Sequence, residues 1–224
     1  MNSAIRLKIL ALLSLRKSRN TMTSHIEFLV EEPSAEAALN NLLPKILPAG
    51  VGFKIHPYNG KSDLLKKLPN RLRGYKSWLP ADWKIVVLTD EDRGNCAEIK
   101  SAMESGASQA GLITKSSQPV NFQVLNRIAV EELEAWFFGD ITALCAAYPG
   151  VPTTLTSRAG YRDPDLIRGG TWEKLEKVLQ GAGYFAAGLP KIEAAEAISS
   201  RMVPGNNRSK SFQVFLSGIK AMLP

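Results

Sequence analysis

Three acidic clusters close apolar runs in this sequence, and carboxylates so placed could do chemistry. Glu31 and Glu32 end "HIEFLVEE", Asp90, Glu91 and Asp92 end "KIVVLTDED", and Glu131, Glu132 and Glu134 follow "FQVLNRIAV". Like charges gathered at one edge of a fold repel strongly where the effective dielectric is low, so a compensating cation is expected. Oxygen-only donors favour a hard divalent ion, Mg²⁺ or Mn²⁺. In Asp-x-Asp the outer side chains share one side of an extended backbone. Asp90 and Asp92 would then reach one ion, while Glu91 points away. A glutamate from the first cluster would hold a second ion or accept the proton of an attacking water. The competing reading is structural: an acid after a strand commonly caps the next helix, and any one cluster taken alone fits that role.

Other chemistries find little support in the composition. Cys96 and Cys145 are the only cysteines, and His25 and His56 the only histidines, among 224 residues. This excludes a disulfide framework and argues against a Cys/His zinc site or a nucleophile–histidine pair. The formal charge of +7 is unevenly spread. Residues 54–84 carry eight Lys or Arg against two Asp, and residues 85–140 carry four against nine acids. An acidic block bordered by basic ones suits a metal site beside a phosphate-binding surface, with solvated surface charge as the plain alternative. Lys61, Lys66, Lys67, Arg71 and Arg73 are candidates to hold a nucleic-acid backbone, and Arg208 and Lys210 further candidates to touch phosphate. All seven are equally readable as exposed side chains.

The elements that must position these residues alternate along the chain. "HIEFLV", "VGFKIHPY", "KIVVLTD" and "FQVLNRIAV" read as strands. "SAEAALNNLLPKIL" reads as a helix with Ser34 as N-cap, bent or ended early by Pro44. "KSDLLKKLPNRLRGYKSWL" is the basic segment, "CAEIKSAMESGA" a helix stopped near Gly106, and "EELEAWFFGDITALCAAY" a helix running on from the fourth strand. Such alternation predicts an α/β fold with a mainly parallel sheet of about four strands, flanked by helices. Ligands in that architecture gather beyond the carboxyl ends of the strands, where all three acidic clusters fall. Trp136 reads as core; Trp78 and Trp83 are open to core or base-stacking roles.

Residues 1–23 read as a leader outside the folded body, with Met22 as the natural start of a strand-first domain and a short amphipathic helix as the alternative. Residues 24–148 form the expected α/β domain, and residues 149–224 a helical addition with runs near Trp172–Leu179, Lys191–Met202 and Phe212–Met222. No uninterrupted apolar stretch has the ~18 residues of a membrane span, so a cytoplasmic protein is expected.

The segments "HIEFLVEEPSAE" and "VVLTDEDRGNC" resemble the Toprim arrangement of topoisomerases, bacterial primases and OLD-type nucleases. With "RIAVEELEAWFFGD" and "NRSKSFQVF", they are similar to a prokaryotic family of unknown function with a Toprim-like core. The resemblance implies Glu31 as the Toprim glutamate and Asp90 and Asp92 as metal ligands, completed by Glu134 and by Glu131 or Glu132. Glu32 stands where Toprim sequences often have Gly, so the two glutamates could exchange roles. The implied activity is Mg²⁺-dependent cleavage of nucleic-acid phosphodiesters, in phage defence with an ATPase that would be a separate subunit, because this chain has no Gly-rich Walker loop. A non-catalytic subunit that binds an ATPase or DNA, and a receiver-like domain with Asp90 as phosphate acceptor, are the rival readings.

Overall fold

Strands β1 (His25–Val30), β2 (Gly52–Pro57), β3 (Trp83–Asp90) and β4 (Val124–Ala129) form one parallel sheet in the order β2-β1-β3-β4. The computed structural model describes residues 22–223. Ile26–Val30 and Ile85–Thr89 are buried without a break, as expected for central parallel strands covered on both faces. Val30 lies opposite Leu88, and Asp90 opposite Ala129, so β1, β3 and β4 end nearly level.

Between the strands run α1 (Pro33–Ile46), α2 (Lys61–Trp78) and α3 (Cys96–Gln109). After β4 come α4 (Glu134–Gly139), α5 (Ile141–Ala147), α6 (Thr171–Gly181), α7 (Lys191–Ser199) and α8 (Lys210–Lys220). On one face Leu39 and Leu42 of α1 join Phe28, Val30, Val86 and Leu88. That same apolar cluster continues into Phe137, Leu175, Ile198, Phe212 and Phe215, so the C-terminal helices complete this face of the sheet. On the other face Leu64, Leu68 and Leu72 of α2, with Ile99 and Met103 of α3, cover Leu29, Ile85 and Val87. The chain leaves β1 for the edge strand β2, then crosses back to β3. Right-handed crossovers therefore place α1 and α2 on opposite faces and open a crevice beyond the ends of β1 and β3.

Several local expectations need correction. The helix after β1 begins at Pro33 with Glu32 as its N-cap, and the Ser34 hydroxyl donates to the Glu32 carboxylate instead of capping the backbone. Pro at N1 suits the helix start, because its missing N–H has no intrahelical partner there. Pro44 neither ends nor interrupts the helix, which runs on to Ile46. The carbonyl it leaves unpaired belongs to Asn40, an exposed residue that water can serve. The helix after β4 starts only at Glu134, because Glu131 adopts a positive φ of 58° in a tight turn. It breaks at Asp140, whose carboxylate caps α5 by accepting from Ala143 N at 3.1 Å. Thr23 belongs to the folded body: it is buried, and its hydroxyl donates to Met222 O at 2.6 Å. The expected leader is thus shortened, and its remainder, residues 1–21, lies outside the described residues.

Trp136 anchors α4 to α8. Its ring is fully buried 5.0 Å from the centroids of Phe212 and Phe215, and its Nε1–H donates to Ser211 Oγ at 2.9 Å. Trp136→Ala leaves a ring-sized void and an unpaired hydroxyl, so urea unfolding should show a stability loss of ~3–5 kcal/mol.

Candidate functional site

The carboxylates at the sheet edge divide into those that knit the backbone and those that face one another. Glu31 is buried, and its Oε2 accepts from Asp90 N at 2.9 Å and from the Thr89 hydroxyl, tying the end of β1 to the end of β3. Glu91 accepts from Glu131 N at 3.1 Å and from Cys96 Sγ at 3.0 Å. It is turned aside, as expected, but into a bond between the β3 and β4 loops. Burial and the nearby Glu91 push the Cys96 thiol up to about 11, which removes it as a nucleophile near neutral pH. Glu132 caps α6, accepting from Trp172 N at 2.8 Å and Thr171 Oγ1 at 2.9 Å. Here the capping role, available to any acid after a strand, has won.

Asp90 and Glu134 behave differently. Glu134 opens α4 at 2% exposure, and its Oε2 has no hydrogen-bond partner. Burial, countered by Lys191 and reinforced by Glu132 and Glu32, raises its pKa to about 7. Asp90 is pushed well above the usual aspartate range, first by burial and then by the charges of Glu134, Glu31, Asp92 and Glu32. Two adjacent carboxyls in a desolvated setting cannot both ionise cheaply. Both carboxyls are therefore shifted towards the protonated form, and added positive charge would shift them back.

Two lysines reach the cluster, and the sequence reading missed the part both play. Lys191, first residue of α7, has burial pulling its pKa down, yet Glu134, Glu32, Glu132 and Asp90 together hold it above the ordinary lysine value. Its Nζ lies 4.0 Å from Glu32 Oε1 and 5.1 Å from the centre of the Trp172 ring. Lys61, first residue of α2, bonds Glu91 O at 2.8 Å and Asp92 Oδ2 at 3.0 Å. A lysine opening a helix opposes the positive end of the helix dipole, and that placement was a usable signal that acids face it. Lys210, which also opens a helix, stays exposed, so the signal is not specific.

The expectation that Asp90 and Asp92 project to one side fails locally. The strand ends at Asp90, and Asp92 and Arg93 take φ of 49° and 60°, which lets Asp92 N bond Glu131 O at 2.8 Å. Asp92 thus stands half-exposed at the rim, beside Lys61. Glu131 adds a second buried oxygen without a partner, Oε2. Among the described residues, no group of three or more His, Cys, Asp or Glu side chains stands ready-assembled for a metal ion.

The basic candidates are dispersed. Lys61 serves the acids, Lys67 pairs with Asp63 at 2.7 Å, Arg73 bonds Asn70, and Lys66 is exposed. Arg71 bonds Tyr75 Oη at 3.1 Å. Arg208 donates to Arg162 O at 3.0 Å on the C-terminal segment, and Lys210 follows it. Trp78 is exposed, and Trp83 stacks on His25 with ring centroids 4.0 Å apart.

Residues 30–220 match DUF4276, a domain of unknown function. The chain belongs to this family. All the carboxylates described above, and both lysines, lie within the DUF4276 match. No curated protein and no solved structure matches the chain. Among the described residues, no helix is long and apolar enough to cross a membrane.

The raised pKa of Glu134 has a sign that can be checked. A carboxyl whose folded pKa exceeds its unfolded value of 4.5 binds more protons in the native state, so stability is fully present below 4.5 and falls as pH rises towards 7. The shift corresponds to ~3 kcal/mol. With EDTA present, urea midpoints should drop between about pH 5 and about pH 8, and Glu134→Gln should drop less.

Proposed function

We propose that this protein hydrolyses nucleic-acid phosphodiesters with the help of Mg²⁺ or Mn²⁺. The observation that carries the reading is the charge coupling of part-buried Asp90 with buried Glu134 near the point where the strand order reverses, with a partnerless Glu134 oxygen and the Lys191 charge acting on both. The Toprim resemblance of "HIEFLVEE" and "VVLTDED" supports it.

The donor set fits a hard divalent ion: every candidate atom is oxygen, and one of them is buried without a partner. Asp90 and Glu134 would hold the ion, with Glu32 and Asp92 at the rim. A bound divalent ion supplies positive charge to a phosphoryl oxygen and acidifies a water. Lys191 offers a second positive charge to the non-bridging oxygens as negative charge develops. Glu32, at the rim beside Lys191, would accept the proton of an attacking water. Glu31 positions Asp90 through its backbone N–H. An ATP-driven step would need a separate subunit.

One observation favours a second reading. The order β2-β1-β3-β4 is also that of the first four strands of flavodoxin-like and receiver folds, in which Asp90 would accept a phosphoryl group.

Purified full-length protein incubated with plasmid or RNA and Mg²⁺ or Mn²⁺ should cleave at least one substrate. Asp90→Ala and Lys191→Ala should each lower the rate by ~10²-fold or more, and Glu91→Gln should cost far less. Asp90→Ala cleaving as fast as wild type would sink the reading. A stable acyl phosphate on Asp90 after treatment with acetyl phosphate would replace it with the receiver reading.

A further inference from the structure

A crevice of about 540 Å³ opens between the edge strand β2 and helix α2, lined by His56, Tyr58, Asn59, Asp63, Lys67, Asn70 and Arg71. Beneath it lies Glu27, a carboxylate in mid-strand at 4% exposure that the chemistry proposed above does not use. His25 Nε2 stands 3.0 Å from its Oε1 and His56 Nε2 2.5 Å from its Oε2, and the Tyr75 hydroxyl donates to Oε2 at 2.7 Å. Burial works to raise the Glu27 pKa, but Tyr75, His56 and His25 together keep it below the ordinary glutamate value. The charge is therefore retained and fully served.

This buried anion orients what lies above it. With Nε2 held on Glu27, the His56 ring lies against Arg71 Nη2, which is 3.3 Å from Nδ1 and 3.4 Å from Nε2. The same guanidinium nitrogen donates to Tyr75 Oη at 3.1 Å, and Arg71 lies 4.9 Å from the centre of that ring. Arg71 is thus aimed by a phenol and an imidazole. No carboxylate pairs with it among the described residues. Lys67, by contrast, is neutralised by Asp63. An arginine that is stacked, oriented and left with unmatched charge, beside the carboxamides of Asn59 and Asn70, suits bidentate recognition of an oxyanion.

We propose that this crevice binds a phosphate group, with the Arg71 fork as its main contact. Two sources share that chemistry: a nucleic-acid strand engaged at the carboxylate site, or a free mononucleotide. The lining loop abuts the carboxylate edge directly, since Tyr58 N bonds Val30 O and Gly60 N bonds Glu31 O, each at 2.9 Å. The strand source rests on the proposed function. The mononucleotide source does not.

The test uses full-length protein carrying Asp90→Asn, in EDTA, with AMP followed by calorimetry and a short fluorescein-labelled DNA strand by anisotropy. Arg71→Gln should weaken at least one probe by ~10-fold, with exposed Lys177→Gln as the control for general surface charge. Asn70→Asp, which adds a negative charge without touching the Glu27 network, should give a similar loss and decides the matter if Arg71→Gln unfolds. Loss for both probes supports a phosphate site open to either source, and loss for DNA alone supports the strand. The proposal is overturned if neither variant weakens either probe. Should Asp90→Ala abolish cleavage while both crevice variants bind normally, the crevice fails alone. If the crevice variants lose binding but Asp90→Ala cleaves normally, the hydrolase reading fails alone.

Discussion

Asp90 and Glu134 repel one another inside the protein, and the arrangement of the sheet edge follows from containing that repulsion. Asp90 ends the central strand β3, where pairing with Ala129 of β4 and the bond from its N–H to Glu31 fix its backbone. Glu134 opens a helix whose next residues, Ala135 to Phe138, are all buried, so it too is fixed. What can vary is proton occupancy or the supply of positive charge, and both are controlled by groups brought from elsewhere in the chain.

Those groups come from sequence-distant elements, so the C-terminal helices set the charge at the sheet edge as well as packing against it. Lys191 reaches the carboxylates because α7 packs against α1, where Lys45 Nζ donates to the carbonyls of Ser199, Ser200 and Met202 at 2.8–3.1 Å. Glu132 holds the start of α6, and Arg93 approaches Glu173 of α6 at 3.6 Å. Loosening these contacts would alter the electrostatics of Asp90 without touching it. A helical addition that docks this way tunes the site through distance and burial.

Much of this was legible in the sequence. The central strands β1 and β3 were visible because parallel strands covered on both faces carry mainly apolar runs, and the alternation of all four strands with helices then dictated a parallel sheet with acids at its carboxyl edge. The division of labour among the acids was not. Glu132 and Glu134 are two residues apart and of one type, yet one caps a helix 40 residues on while the other keeps an oxygen without a partner. Nothing local distinguishes them. The extended geometry assumed for Asp90 and Asp92 failed because a tertiary bond, Asp92 N to Glu131 O, rewarded a left-handed turn. Lys191 was hidden by its distance along the chain, and the Glu27 network because it needs β1, β2 and α2 in register.

The most direct test is a carbon-detected NMR titration of the side-chain carboxyls of Asp90 and Glu134, with and without saturating Mg²⁺. The account expects Glu134 to titrate at about 7 in the absence of the ion, Asp90 to titrate well above the ordinary aspartate range, and both to fall towards ordinary carboxylate values when Mg²⁺ is added. Ordinary values for both residues without Mg²⁺, unchanged on its addition, would contradict it.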